Sequence, residues 1–490
     1  MSSITSFVKS FRDITRADPG LNGDAQRIEQ LAWMLFLKIY DDKEQEWELD
    51  NKDKYKSLIP DNCRWRNWAD TENQKGLKGD ELLDFVDNEL FPELQNLNIG
   101  PNTTRKQSYP KDVFQDIHNY MKDGVAFREV LSLINKFDFN DSKDAHAFGS
   151  IYEGILKQLQ NAGSSGEFYT PRAVTEFMAS HIDLKVGDRV ADFACGTGGF
   201  LNSAYKFLSS GNVNAVQREQ LNSSFYGIEK KPLPYLLCIT NLLLNGIDEP
   251  FVEHKNSLLE KKVADYGDKD AFDVILMNPP YGGAENEIVQ QNFPSGLKSS
   301  ETADLFIILM MNRLRKCTGR AAVIIPDGFL FGSGNKAEIK KQLFKDFNVH
   351  TIVRLPPSVF APYTPIATNI IFFNAGGPTE YTWFYRVDKP EGYKNFCKTK
   401  PIKTEHLKDL DEWWINREEI DIDGFYKAKE YSLQEIIDNE YNIDLCGYPT
   451  DSEEVLEPEV LIEQYMQKRE EQQKIVDDAL AKIMELIEAK

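Results

Sequence analysis

The chain has 490 residues, room for two to four domains, and its 41% hydrophobic and 28% charged content is that of an ordinary globular protein. With 57 basic against 78 acidic residues the formal charge is −21, which argues against a protein that grips nucleic acid through its own surface; any such substrate needs positive field from elsewhere. No apolar run reaches the roughly 18 residues that span a bilayer, Met1 to Asp18 lacks the apolar stretch of a secretory leader, and six scattered cysteines without a C-x-x-C pair suggest neither zinc nor a disulfide framework, so a reducing cytoplasm and no membrane are expected.

Residues 1 to 160 read as helices. Leu31, Met34, Leu35 and Ile39 share one face of a helix expected over Asp24 to Glu46, and Glu81 to Leu94 and Phe127 to Phe137 repeat the 3.6-residue pattern. This part carries no catalytic signal and reads as a docking or lid domain. A helix over Ala147 to Gln160 runs into Asn161-Ala162-Gly163-Ser164-Ser165-Gly166, a flexible boundary. Next comes Glu167-Phe168-Tyr169-Thr170-Pro171-Arg172 and a helix from Ala173 to His181. Thr170 as N-cap with Pro171 at the first helical position would turn free N–H groups toward an anionic guest such as a carboxylate, although this is also a common way to start a helix.

An α/β pattern follows. A strand runs to Asp192 or Phe193, then the turn Gly196-Thr197-Gly198-Gly199, then a helix from Phe200. Glycines permit close backbone approach to a ligand, but Leu201 stands where a dinucleotide fingerprint has its third glycine, so a purely structural turn stays open. The second strand, Ser224 to Ile228, ends in Glu229, which is either a surface acid or the acceptor of two ribose hydroxyls; its late position implies a longer helix or an insertion around Gly211 to Gln220. After a helix over Leu233 to Asn245 and a third strand, Asn256 can reach a purine edge.

The fourth strand is Asp273-Val274-Ile275-Leu276-Met277, stopped by Asn278-Pro279-Pro280-Tyr281. The prolines cannot extend a ladder, and they leave the carbonyls of Asn278 and Pro279 as acceptors beside an aromatic ring at the carboxyl end of a strand. Asn286 to Ser300 reads as a mobile loop over the site, Thr302 to Leu314 and Ala337 to Asp346 as helices, Gly319 to Pro326 and His350 to Pro357 as strands. Asn369 to Phe373 and Tyr381 to Tyr385, joined across Gly376-Gly377-Pro378, read as an edge hairpin. Near the end, Ile462, Met466, Arg469, Gln473, Val476, Leu480, Ile483 and Ile487 alternate by four and three, a seam that suits a partner-binding helix or a solvated charged one. The divisions expected are a helical N-terminal domain (1–160), a catalytic domain (161–400), a connecting segment (401–452) and a C-terminal helix (453–490).

Taken together, the glycine turn, the ribose acid and the strand-end Asn-Pro-Pro-Tyr describe an α/β, Rossmann-like mixed sheet of an S-adenosylmethionine-dependent methyltransferase. The whole chain resembles the modification subunit of type I restriction-modification systems, an adenine-N6 DNA methyltransferase. That resemblance rests on Ile151-Tyr152-Glu153-Gly154, Phe168 to Arg172, Asp192 to Phe200, Asn278 to Tyr281, Gly319 to Asp327, Leu355-Pro356 and Tyr441-Asn442-Ile443-Asp444-Leu445. It implies catalysis by Asn278, Pro279, Pro280 and Tyr281, and S-adenosyl-L-methionine held by Glu167, Phe168, Tyr169, Thr170, Pro171, Arg172, Asp192, Gly196, Thr197, Gly198, Gly199, Glu229 and Asn256. Phe360 would help hold a flipped base. It further implies double-stranded DNA as substrate, two copies per complex, a separate specificity subunit as partner, and leaves open a restriction subunit. Because Asn-Pro-Pro-Tyr also occurs in enzymes methylating glutamine amides, a protein or RNA methyltransferase is the alternative. Cys195 stands where the family would place a small residue, usually Ala.

Overall fold

The computed structural model describes residues 2–50, 55–70, 76–139, 152, 154, 169–422 and 424–447, together with 466, 469, 473, 474 and 477. It divides into a large unit, 1–421 with 426–446, and a small one, 422–425 with 447–490. Of the C-terminal seam only Met466, Arg469 and Gln473 are described, as exposed helical residues. The remaining seam positions lie outside the described residues, as do Glu167, Phe168, the 161–166 boundary and all of the expected 147–160 helix except Tyr152 and Gly154.

The N-terminal part is helical because its apolar residues recur on one face and bury there. The helix Asp24–Asp50 places Trp33 and Phe36 fully inside, where Trp33 meets Phe91, Phe114 and Phe127. The run expected over Glu81 to Leu94 is three helical pieces, Gly79–Phe85, a π-turn at Val86–Leu90, and Phe91–Gln95; the wide turn comes just before Pro92, which has no N–H to give an α-helical ladder. This domain is fastened to the sheet's edge. Tyr109 donates its hydroxyl to Pro250 O at 2.9 Å, and Lys43 pairs with Asp248 at 3.2 Å.

The sheet has ten strands: β1 Val190–Asp192, β2 Phe225–Glu229, β3 Phe251–His254, β4 Val274–Met277, β5 Arg320–Pro326, β6 Phe347–Arg354, β7 Thr368–Ala375, β8 Tyr381–Arg386, β9 Ile420–Ile422 and β10 Phe425–Ser432. Their order is β3-β2-β1-β4-β5-β7-β6-β8-β10-β9. Neighbours from β3 to β5 pair in parallel, with helices covering both faces, so short runs such as β4 are apolar on every residue: Val274 and Leu276 join one core, Ile275 and Met277 the other. The order reverses at β1, and that opens a crevice at the carboxyl ends of β1, β2 and β4.

Two expectations about the sheet and its loops change. Strands β7 and β8 form no hairpin: β7 inserts antiparallel between β5 and β6, and β8 pairs parallel to β6 on its other side. Asn286 to Ser300 is packed structure, with a helical turn at Glu287–Gln290 and with Val289, Phe293 and Leu297 buried in the core. Residues 401–446 contribute a helix, Lys408–Ile415, and β10, which pairs antiparallel with β8. The insertion expected near Gly211 to Gln220 is present as a separate helix, Ala215–Asn222. No helix among the described residues is long and apolar enough to cross a membrane.

Candidate active site

A cavity of about 400 Å³ opens at the crevice where the strand order reverses. Of the residues singled out in the sequence, Thr170, Asp192, Gly196, Thr197, Gly199, Glu229, Asn256, Asn278, Pro280 and Tyr281 line it. They come from four strand ends and one helix start, spread over more than a hundred residues. The fold alone brings them together.

The turn after β1 is fixed from below. Asn241 donates Nδ2 to Thr197 O at 2.9 Å, and Gly198 N–H donates to Cys195 O at 2.8 Å. Gly198 takes φ +75°, open to glycine, and a Cβ there would stand 2.9 Å from Cys238 Sγ. Glu229 closes the same turn: its carboxylate accepts the N–H of Gly196 at 2.9 Å and of Lys231 at 2.7 Å, leaving lone pairs for a guest. Burial pushes the Glu229 carboxyl up from its ordinary range, and backbone N–H groups pull it back. Burial drives Asp192 well up, with the neighbouring Glu229 charge adding to the rise; its carboxylate accepts Ala194 N–H at 3.1 Å. Asn256 accepts the N–H of Leu258 at 3.0 Å through Oδ1.

At the other end of the cavity, Asn278 follows β4. Its Nδ2 donates to Thr170 Oγ1 at 3.0 Å, and its Oδ1 accepts the Tyr281 hydroxyl. Burial holds the Tyr281 phenol well above its ordinary value, so it is a donor. Thr170 is therefore no helix cap. Pro171 occupies the N-cap of Arg172–His181 with φ −53° and ψ 133°, and the Thr170 hydroxyl is spent on Asn278 instead.

Other expected residues stand behind the cavity wall. Arg172 lies against Gly199, where a Cβ would approach its guanidinium to 2.5 Å, and over the buried Tyr169 ring at 5.3 Å. Phe360 is 2% exposed and meets Tyr281 edge-on at 6.1 Å, so it touches the ring of the strand-end motif and does not line the cavity. The cavity adds residues that the sequence did not flag: Lys230 and Lys231 beside Glu229, Leu258, and Gly283, Glu285, Thr302 and Phe306 around the floor. Only Lys230 and Lys231 had a signal, their adjacency to the strand-end acid. Among the described residues no group of three or more His, Cys, Asp or Glu side chains is placed to hold a metal.

The chain matches the model of the N-6 DNA methylase family over residues 143–456 and that of the HsdM N-terminal domain over residues 4–169. It is 44% identical to the type I restriction enzyme EcoEI methylase subunit of Escherichia coli over 96% of this chain and 95% of that one. Among solved structures, a modification subunit assigned to a type I restriction enzyme of Vibrio vulnificus YJ016 superposes with a TM-score of 0.78 at 41% identity, covering 88% of this chain and 92% of that one. A chain from a structure of type I restriction-modification complex assembly and conformational transition gives 0.79 at 32% identity, covering 99% and 98%. A mixed sheet with a helical N-terminal region, shared with these structures over nearly its whole length, and a strand-end Asn-Pro-Pro-Tyr facing a glycine turn place this chain in the N-6 DNA methylase family, among the methylase subunits of type I restriction enzymes.

Proposed function

We propose that this chain transfers the methyl group of S-adenosyl-L-methionine to N6 of an adenine flipped out of duplex DNA, in an assembly whose specificity subunit chooses the site. The observation that carries this reading is the Asn278 amide, held with its oxygen at the far end of the cavity that Glu229 and the glycine turn enclose.

The donor set fits the cofactor. Glu229 has its two oxygens oriented by backbone N–H groups and keeps acceptor capacity for a ribose diol, and Gly196 and Gly199 leave backbone at the wall. Asp192 and Asn256 extend that wall, with Asn256 NH2 available to a purine nitrogen. Bound there, S-adenosyl-L-methionine supplies an electrophilic methyl on a sulfonium.

The rest is done by the chain. An adenine amino group is a poor nucleophile because its lone pair is delocalised into the ring. Asn278 Oδ1 and the Pro279 carbonyl accept its two N–H bonds and favour the pyramidal nitrogen that attacks. Tyr281 stacks on the base, Phe360 backs that ring, and Pro280 fixes the chain between them. Extruding the base costs a few kcal/mol, which the pocket must offset. The proton leaves the product nitrogen afterwards, so no strong base is required in the transfer.

The partners follow from the family and the charge. A chain at −21 gains little from DNA phosphates by itself, so a specificity subunit, two copies of this chain, and in some assemblies a restriction subunit complete the enzyme in the cytoplasm. Residues 453–490 are assigned to partner docking and residues 1–160 to a docking or lid role. Methyl-label transfer with duplex DNA, RNA and protein offered in parallel to the assembled enzyme tests the reading. Label in adenine of DNA supports it, and label in RNA or in glutamine of a protein replaces it with the alternative.

A further inference from the structure

Two stretches that the sequence singles out, Leu355-Pro356 and Tyr441 to Leu445, lie outside the cavity, and the structure joins them through one buried guanidinium. Arg354 ends β6 in register with Asn369 of β7, which pairs in turn with Ile325 of β5. It is 5% exposed. Its Nε donates to Asn369 Oδ1 at 3.2 Å, its Nη2 bonds the Asp444 carboxylate, and the Asp327 carboxylate lies 3.7 Å away. Asn369 completes the ring by donating Nδ2 to Asp327 at 2.6 Å. A cluster like this is a poor source of stability, because desolvation offsets much of the Coulomb gain and apolar groups of the same volume serve as well. What it supplies is a single geometry.

The segment that delivers Asp444 is itself tightly constrained. After the helix Leu433–Asp438, Glu440 and Tyr441 both take left-handed φ, 53° and 57°, a conformation unfavourable for L-residues. Asp444 N–H then donates to Asn442 Oδ1 at 3.0 Å, and Ile443, fully buried, donates its N–H to Leu330 O at 3.0 Å. On the other side of Arg354 the chain runs directly into residues 355–364. Phe360 of that loop packs edge-on against Tyr281, whose hydroxyl bonds Asn278.

We propose that Arg354 and Asp444 are positioning residues: the 441–446 strap clamps the end of β6, fixes the 355–364 loop, and through Phe360 holds the Tyr281 ring in the pose that receives the target base. This rests on the function proposed above. Neither residue touches the cavity, so cofactor binding does not depend on the clamp.

The test uses the full-length chain in its assembled complex, with Asp444→Asn and Asp444→Glu. Cofactor affinity is read by calorimetry, folding by melting, turnover on DNA as kcat and KM, and base capture by the emission of 2-aminopurine at the target position. Asp444→Asn is expected to lower kcat about ten- to a hundredfold, as a small misplacement of a reacting group does. Base capture should fall with it while cofactor affinity stays unchanged, and Asp444→Glu should recover most of the turnover. Turnover and emission equal to wild type in Asp444→Asn overturn the clamp, and so does a parallel loss of cofactor affinity, which would mark a merely structural role. Should Asp444→Asn lose its melting transition, Arg354→Lys, which keeps the charge and loses the fork, is read by the same criteria. A wild-type complex that methylates no DNA overturns the functional reading, and the clamp with it; wild-type DNA methylation matched by the variants overturns the clamp alone.

Discussion

Replacing Asn278 by Ala removes one of the two acceptors proposed for the adenine amino group and nothing that the cofactor end uses. The Asn278 amide is committed at both atoms: Nδ2 to Thr170 Oγ1 at 3.0 Å, and Oδ1 to the Tyr281 hydroxyl until a base replaces it. Loss of one preorganised group of this kind costs about 2.7–4 kcal/mol at the transition state, or roughly 10²–10³ in kcat. Glu229 and the glycine turn hold their own partners, Gly196 N–H, Lys231 N–H and Asn241, with no bond to Asn278. Cofactor affinity should therefore stay within about threefold of wild type, as for sites that share no partner. Thr170→Val serves as the graded companion: it keeps the amide and removes the hydroxyl that orients it, a loss of about 1 kcal/mol or roughly fivefold in kcat. Single-turnover methyl transfer on the assembled enzyme gives the rates, and calorimetry gives the affinity. Asn278→Ala turning over within tenfold of wild type, or losing cofactor binding in step with turnover, would refute the acceptor role.

Glu229→Gln presents an NH2 group to one of the two backbone N–H donors now satisfied by carboxylate oxygens, and weakens both contacts to a ribose diol. At about 1.5–3 kcal/mol for a hydrogen bond to a charged group, cofactor affinity should fall roughly a hundredfold by calorimetry; an unchanged affinity removes Glu229 from the cofactor site. Tyr281→Phe keeps a ring against the base and should keep turnover within several-fold, whereas Tyr281→Ala loses a stack worth about 1–3 kcal/mol, or roughly ten- to a hundredfold. Equal losses in the two variants would shift the role from the ring to the hydroxyl. Acid sensitivity should trace in part to His350, whose imidazole burial, with the nearby Arg417 charge, lowers to about 4. The unfolded chain takes up that proton below about 6.5 and the folded protein only near 4, so stability falls as pH drops through this window. Denaturant midpoints for wild type and His350→Gln should separate between those pH values, with the variant losing less, and parallel curves would exclude His350 as the source.

What the sequence made legible depended on how local the cause was. The strand β4 and its stop could be read because four apolar residues in a row and two prolines each act within their own segment, and the glycine turn because Gly198 needs its positive φ wherever the chain goes next. Pairing was another matter. Gly376-Gly377-Pro378 marks a turn, but whether β7 then pairs with β8 or slips between β5 and β6 depends on strands that the turn itself does not specify, β5 lying more than 40 residues upstream. The stretch Asn286 to Ser300 misled for a different reason. Its composition is polar, and its three buried apolar residues, Val289, Phe293 and Leu297, stand four apart as on a helix face although the chain there is only a short helical turn and a 3-10 turn. Thr170 looked like a helix cap because nothing local reveals that Asn278, 108 residues on, takes its hydroxyl.

In the proposed reading, the Tyr281 hydroxyl bears on what kind of base the site accepts. A buried amide oxygen without a donor costs about 1–3 kcal/mol, and Tyr281 removes that cost while the pocket is free of base. An amino group that enters must displace the phenol, and it can do so at little net cost, since one N–H replaces one O–H. A base presenting a carbonyl at the same position displaces the phenol and gives nothing back, leaving two acceptors facing each other in this orientation of the amide. In the proposed reading the pocket thus favours an amino-bearing base through the hydrogen bond that Asn278 already accepts. It has no comparable means of telling one adenine in a duplex from another, which is why the proposed reading needs a second subunit to choose the site.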